Sequence, residues 1–233
     1  MLLAIDTSTR YAGVALAQEG QVISIRNWYS KTNHSANLIP AISDVLKQHG
    51  ISIKDLDGIA CALGPGSFSA LRVGLSTAKA LALADGIPLM GIKTLDLEAH
   101  AFLNNGIPVT GICDVGRQEI AVAAFKATGE QIEETIIMKP EELISRVKDL
   151  TIFCGEGLVI LEDRIRNELG GLGIVIPFSP STRLWSLATS AERLINEKGG
   201  NDIRTLQPYY LRMPSIGTPK RRDVISQRRK QEH

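Results

Sequence analysis

No apolar run in this chain of 233 residues approaches the roughly 20 residues that a membrane-spanning helix needs, so no spanning segment is expected. Cysteine is scarce too. Cys61, Cys113 and Cys154 stand far apart in apolar, strand-like segments without C-x-x-C spacing, which argues against a zinc ribbon or a disulfide and for buried thiols in a reducing compartment. Met1-Leu2-Leu3-Ala4-Ile5 reaches Asp6 with neither a basic n-region nor a cleavage site, and a cytoplasmic protein is expected. A formal net charge of +1 supplies no global drive toward nucleic acid. The glycines form neither a Walker A loop, since no Lys-Ser/Thr pair follows them, nor a dinucleotide G-x-G-x-x-G.

Catalytic sets are equally thin. His34, His49, His100 and His233 are scattered, and none has a second imidazole four residues away to make a helical metal pair. Asp96 and Glu98 lie two residues apart and so face different sides of a helix, not one paired-carboxylate site. Ser67 sits on a sharp turn, yet Gly-Pro-Gly-Ser-Phe-Ser is not the nucleophile elbow Gly-x-Ser-x-Gly.

What is present is a rigid turn. Gly64-Pro65-Gly66-Ser67-Phe68 closes the apolar strand over 57–63 and opens a helix over 67–84, which Asp85-Gly86 ends; Ser67 is placed to cap it. That helix is rich in small residues, and a mid-helix Gly74 costs up to about 1 kcal/mol relative to Ala, a loss that close packing must offset. Ala70, Gly74, Thr77 and Ala78 would let another helix approach, either in the same lobe or in another subunit. Before the turn, Leu38, Ile42, Val45 and Leu46 share one face of a helix over 34–49 that Gly50 stops, with Pro40 tolerable in a first turn.

The two halves repeat. Ile5-Asp6, Gly13-Val14-Ala15-Leu16 and a turn at Glu19-Gly20 match Cys113-Asp114, Ala121-Val122-Ala123-Ala124 and a turn at Thr128-Gly129, while 57–66 has a weaker echo in 149–157. Each half reads as three strands, a helix, a strand and a helix. The order resembles the two-lobed α/β architecture of the actin, sugar-kinase and Hsp70 superfamily, with lobes at 1–105 and 106–214 and a basic tail at 215–233. A nucleotide-hydrolysing member needs glycine soon after each strand-ending Asp, so that backbone N–H groups reach the phosphates. Asp6-Thr7-Ser8 has none before Gly13; Asp114-Val115-Gly116 keeps one, which a hairpin turn explains equally well. Both loops therefore read as vestigial.

Together with Leu3-Ala4-Ile5-Asp6-Thr7-Ser8-Thr9, His34-Ser35 before Leu38-Ile39-Pro40, Pro88-Leu89-Met90-Gly91-Ile92 and Pro208-Tyr209-Tyr210-Leu211-Arg212, the glycine turn closely resembles the bacterial TsaB (YeaZ) proteins over about residues 1–214. The resemblance implies a non-catalytic docking subunit of the machinery that installs threonylcarbamoyladenosine in tRNA. It implies a TsaD-type paralogue and a small TsaE-type ATPase as partners, tRNA as substrate of the assembly, and a self-paired homodimer when the paralogue is absent. Pairing is expected through the two helices of the first lobe, with His34, Leu38, Ser67, Ala70, Leu71, Gly74, Thr77 and Ala78 as interface candidates. No cofactor is expected on this chain, with ATP and metal confined to the partners. The paralogue's H-x-x-x-H pair has only His100 in the corresponding stretch here. Competing classes are an ATP-dependent phosphotransferase of sugar-kinase type and, further off, a glycoprotease-like peptidase. Lys220-Arg221-Arg222 and Arg228-Arg229-Lys230 form either a solvated tail or a contact with tRNA phosphates.

Overall fold

The structure, a computed structural model, describes residues 1–30 and 34–212, with His34 described by its backbone alone. The first half folds as β1 (Leu2–Asp6), β2 (Tyr11–Gln18), β3 (Gln21–Tyr29), α1 (His34–Gln48), β4 (Gly58–Ala62), α2 (Phe68–Asp85), β5 (Leu89–Ile92) and α3 (Thr94–His100). The second half repeats that order as β6 (Val109–Asp114), β7 (Ile120–Phe125), β8 (Ile136–Met138), α4 (Pro140–Arg146), β9 (Thr151–Cys154), α5 (Leu158–Leu169), β10 (Gly173–Val175) and α6 (Pro180–Lys198). Each copy thus adds a strand and a helix to the order read from the sequence. The sheets run β3-β2-β1-β4-β5 and β8-β7-β6-β9-β10, the same topology twice. In each, the first strand pairs antiparallel with the second and parallel with the fourth. This is the duplicated, two-lobed actin-like fold.

One face of the first sheet packs Leu3, Ile5, Ile59 and Cys61 against Leu38, Ile42, Val45 and Leu46 of α1 and Leu75, Ala78 and Ala82 of α2. The opposite face is lined by Ala4, Ala15, Ala17, Ala60 and Ala62, and it receives Leu184, Leu187, Ala188 and Ala191 of α6. These strand alanines have a steric purpose: they lower the sheet surface enough for a helix to lie on it. A Cβ on Gly13 would stand 2.5 Å from Leu184 Cδ1. The second sheet uses the same device, with Ala121 and Ala123 beneath Leu95 and Ala99 of α3, and Gly111 facing the Leu95 carbonyl. Its other face packs on Leu143 of α4 and on Leu158, Leu161 and Ile165 of α5.

Two helices therefore cross between the lobes. A division at 105/106 separates the two sheets, but α3 leaves the first half to cover the second sheet and α6 returns to cover the first. The chain after α6 follows the first sheet as far as Tyr209, with Asn201 N–H donating to the Leu89 carbonyl (2.8 Å) and Tyr209 N–H to that of Leu63 (2.7 Å), and then reaches the second lobe, where Leu211 packs on the core of the second sheet and Arg212 pairs with Glu119. The expected lobes of 1–105 and 106–214 thus divide the two sheets but not the helices that cover them, and 215–233 lies outside the described residues.

Pro40 is a second departure. It lies inside α1, beyond the first turn, and is exposed, so water can meet the carbonyl that its missing N–H leaves unpaired. Ser67 holds the N-cap position of α2, but its side chain makes no capping bond; its N–H donates to the Ser8 carbonyl instead (2.8 Å). Gly86 ends the helix at φ +69°, a left-handed stop that glycine adopts without strain.

Candidate functional site: an interlobe cleft closed by Arg183

The loop after β1 is spent on internal contacts. Asp6, Thr7, Ser8 and Thr9 are all buried. Asp6 Oδ1 accepts from Ser8 N–H (2.8 Å) and Ser8 Oγ (2.7 Å), while Thr7 Oγ1 donates to the Ala70 carbonyl (2.7 Å). A Cβ on Gly66 would fall 2.0 Å from the Ser8 carbonyl oxygen, so glycine there is what lets the turn before α2 lie on this loop.

Arg183 occupies the space that such a loop would leave open. It is 1% exposed, in the first turn of α6, and its Nε donates to Asp6 Oδ2. Nη1 reaches Glu98 Oε1 of α3 at 2.9 Å, and Nη2 reaches Thr9 Oγ1 at 3.1 Å and the Tyr11 carbonyl at 2.7 Å. Glu156, in the turn after β9, stands 3.6 Å away. One guanidinium thus joins the loop after β1, both crossing helices and a turn of the second lobe. Burial alone would lower the Arg183 pKa, but the carboxylates of Asp6, Glu98 and Glu156 hold it above the ordinary arginine value. Burial pushes Glu98 up to about 7, with the Asp6 and Glu156 charges adding and Arg183 opposing.

No sequence motif singles out Arg183. A usable signal exists all the same: Arg183, Leu187 and Ala191 recur at i, i+4 and i+8 on the buried face of α6, and a charge inside such a stripe demands a buried partner.

The structure separates the two vestigial loops. Asp6, Thr7 and Ser8 meet α2 and α6, whereas Asp114 is exposed and, among the described residues, accepts from Gly116 N–H (2.8 Å) in the hairpin between β6 and β7. Glu98 joins Arg183 while Asp96 does not, as their spacing required. Burial lowers the pKa of His100, whose ring lies against Trp185 (6.1 Å between centroids).

The interface candidates need correction. Leu38, Ala70, Leu71, Gly74 and Ala78 are buried within their own lobe. The packing that offsets Gly74 is the loop after β1, because a Cβ there would stand 2.3 Å from Thr7 Oγ1. Ala70, Gly74 and Ala78 face inward, so a seam between subunits does not run along them. Ser67 is exposed and Thr77 partly so. The outward face of α2 carries Ser69, Arg72, Ser76, Ala80 and Leu83 instead. The His34 side chain and the basic residues 220–230 lie outside the described residues.

The sequence model of the family described as "TsaD: tRNA N6-adenosine threonylcarbamoyltransferase" matches residues 28–166. The Escherichia coli (strain K12) protein named tRNA threonylcarbamoyladenosine biosynthesis protein TsaB is 33% identical over 64% of this chain and 67% of its own. The chain belongs to the TsaB family. Its similarity to the Bacillus subtilis (strain 168) TsaB is 29% identity over 91% of this chain and 94% of that one. Among solved structures, YeaZ from Pseudomonas aeruginosa superimposes with a TM-score of 0.70 at 24% identity, covering 90% of this chain and 99% of that one. Within this TsaB fold, the loops that resemble phosphate loops are one closed by an arginine and one folded into a hairpin.

Proposed function

We propose that this TsaB-family chain is a non-catalytic partner subunit of a cytoplasmic assembly that forms threonylcarbamoyladenosine in tRNA. It pairs with a TsaD-type protein and works alongside a TsaE-type ATPase, and ATP and metal act in those partners. The observation that carries this reading is the engagement of Asp6. Its carboxylate is bound by Ser8 and Arg183, so the loop presents no free acid, and the Ser8 N–H is turned onto Asp6 itself. The relatives' names support the pathway, and the family model that spans most of the chain is named for the transferase itself.

Pairing would use the outward faces of α1 and α2, where Ile39 is 55% and Leu83 66% exposed, and the same surface can serve a homodimer when the TsaD-type protein is absent. Ala80→Arg on the exposed face of α2 is expected to abolish co-purification with a TsaD-type partner while leaving the thermal melting of the isolated chain unchanged. Undiminished pairing would remove this face from the interface. The catalytic half of the reading is tested by Mg-ATP turnover of the isolated chain, which should be absent. Turnover that vanishes on replacing Asp6 or Asp114 would refute it.

A further inference from the structure

The segment Pro208-Tyr209-Tyr210-Leu211-Arg212 has no role in the network of Arg183. It forms one wall of a groove of about 370 Å³ between the lobes, at the small end of the range of about 300–1,000 Å³ typical of ligand clefts. The glycine turn supplies Pro65, Gly66 and Phe68, and the second lobe supplies Val115, Arg117 and Ile137. Tyr209 is fixed there by its N–H bond to Leu63, and its carbonyl oxygen lies 2.9 Å from where a Cβ on Gly64 would stand.

The charged side chains that line this groove, Arg117 and Arg212, are both basic. Arg72 stacks over the Phe68 ring at 4.0 Å and donates to the Tyr210 hydroxyl (3.3 Å), and the Phe68 and Tyr210 rings lie 4.8 Å apart. Lys93 sits over the Tyr209 ring at 4.5 Å. Arg117 is exposed at the tip of the β6–β7 hairpin and, among the described residues, makes no ion pair. Glu119 is the neighbouring carboxylate, and Arg212 pairs with it. The sequence past Arg212 continues with Lys220-Arg221-Arg222 and Arg228-Arg229-Lys230, of the same sign.

Aromatic faces interleaved with arginine and lysine are the chemistry that holds an unpaired nucleotide, base against ring and phosphate against cation. An acidic peptide would use the cations alone, whereas Phe68 and Tyr210 also line the groove and give a base an aromatic wall. We infer that this groove binds a single-stranded segment of tRNA, with Phe68 and Tyr210 as the stacking platform and Arg117 on the phosphate backbone. The inference rests on the tRNA-modifying role proposed above and adds to it a residue-level RNA contact on this subunit.

The test uses the full chain and an unmodified tRNA transcript, with equilibrium binding measured between about 50 and 200 mM salt. Arg117→Glu is expected to weaken binding and to flatten the slope of log K against log salt by about 0.7 or more for each phosphate no longer neutralised. Phe68→Ala is expected to lower affinity between about 5- and 150-fold, the effect of removing one stack, with the slope unchanged. Thermal melting of both variants checks that they fold. Affinity and slope equal to wild type in a folded Arg117→Glu, or displacement of the RNA by polyglutamate as readily as by unlabelled tRNA, would overturn the inference. Binding does not depend on turnover, so this result stands apart from the pathway assignment, which is decided by whether the chain is required for modification.

Discussion

Replacing Arg183 by Met keeps most of the length of the side chain and removes the guanidinium that Asp6, Glu98, Thr9 and the Tyr11 carbonyl share. The three carboxylates near it would then have no counter-charge in a site where Arg183 and Asp6 are each 1% exposed. Breaking a buried ion pair from one side typically costs about 3–5 kcal/mol, because the remaining charge stays desolvated. Here part of that cost can be relieved by protonation: Glu98 already stands near 7 through burial, and losing Arg183 removes a group that holds it down. Arg183→Met is therefore expected to lose about 3–5 kcal/mol at pH 8 and distinctly less at pH 5.5, read from urea unfolding followed by tryptophan fluorescence. Trp185 lies in the same helix, against His100 of α3, so its emission follows the separation of the two crossing helices. A loss under about 1 kcal/mol at pH 8 would mean that Arg183 only fills space, and a loss independent of pH would remove Glu98 from the account.

Three further outcomes follow from the same contacts. For Glu98, the folded-state pKa of about 7 lies above the ordinary 4.5, so the native state binds the extra proton between those values and stability falls as pH rises through them; Glu98→Gln should flatten the fall in melting temperature between pH 5 and 8, and an unchanged profile would place the titration elsewhere. Gly74→Ala should destabilise the folded chain by about 1–3 kcal/mol through collision with Thr7 Oγ1, and adding Thr7→Ala should recover part of it; two strictly additive losses in denaturant titrations would show that the residues do not meet. Gly66→Ala should be worse than Gly74→Ala, since its Cβ would meet the Ser8 backbone carbonyl and not a side chain that can turn away; equal midpoints for the two variants would contradict that ordering.

The duplication was legible because an apolar strand ending in Asp, followed by a second apolar strand, is a local pattern, and Asp6 and Asp114 carry it in both copies. The turn at 64–66 was legible for the same reason: two glycines around a proline restrict the backbone whatever surrounds them. The direction of α2 was not. Alanine, serine and glycine differ too little in polarity to mark a buried side, so the inward face of Ala70, Gly74 and Ala78 looked the same as an outward seam. Arg183 escaped notice because its partners lie at positions 6, 98 and 156, brought together only by the crossing of α3 and α6. The pairing of Asp6 with Arg183 spans 177 residues. No window of sequence contains that site, and the alanines of β2 and β4 that admit α6 reveal their purpose only once the helix is in place.

In the role proposed above, this chain assists the chemistry of a TsaD-type partner and performs none itself. The most direct test of that role is the amount of threonylcarbamoyladenosine formed in an unmodified tRNA transcript by a reconstituted assembly supplied with Mg-ATP and the activated threonine donor. Product is expected when this chain and its TsaD-type partner are both present, none from this chain alone, and a marked loss when this chain is omitted. Product formed by this chain without the partner, and abolished by replacing Asp6 or Asp114, would contradict the claim.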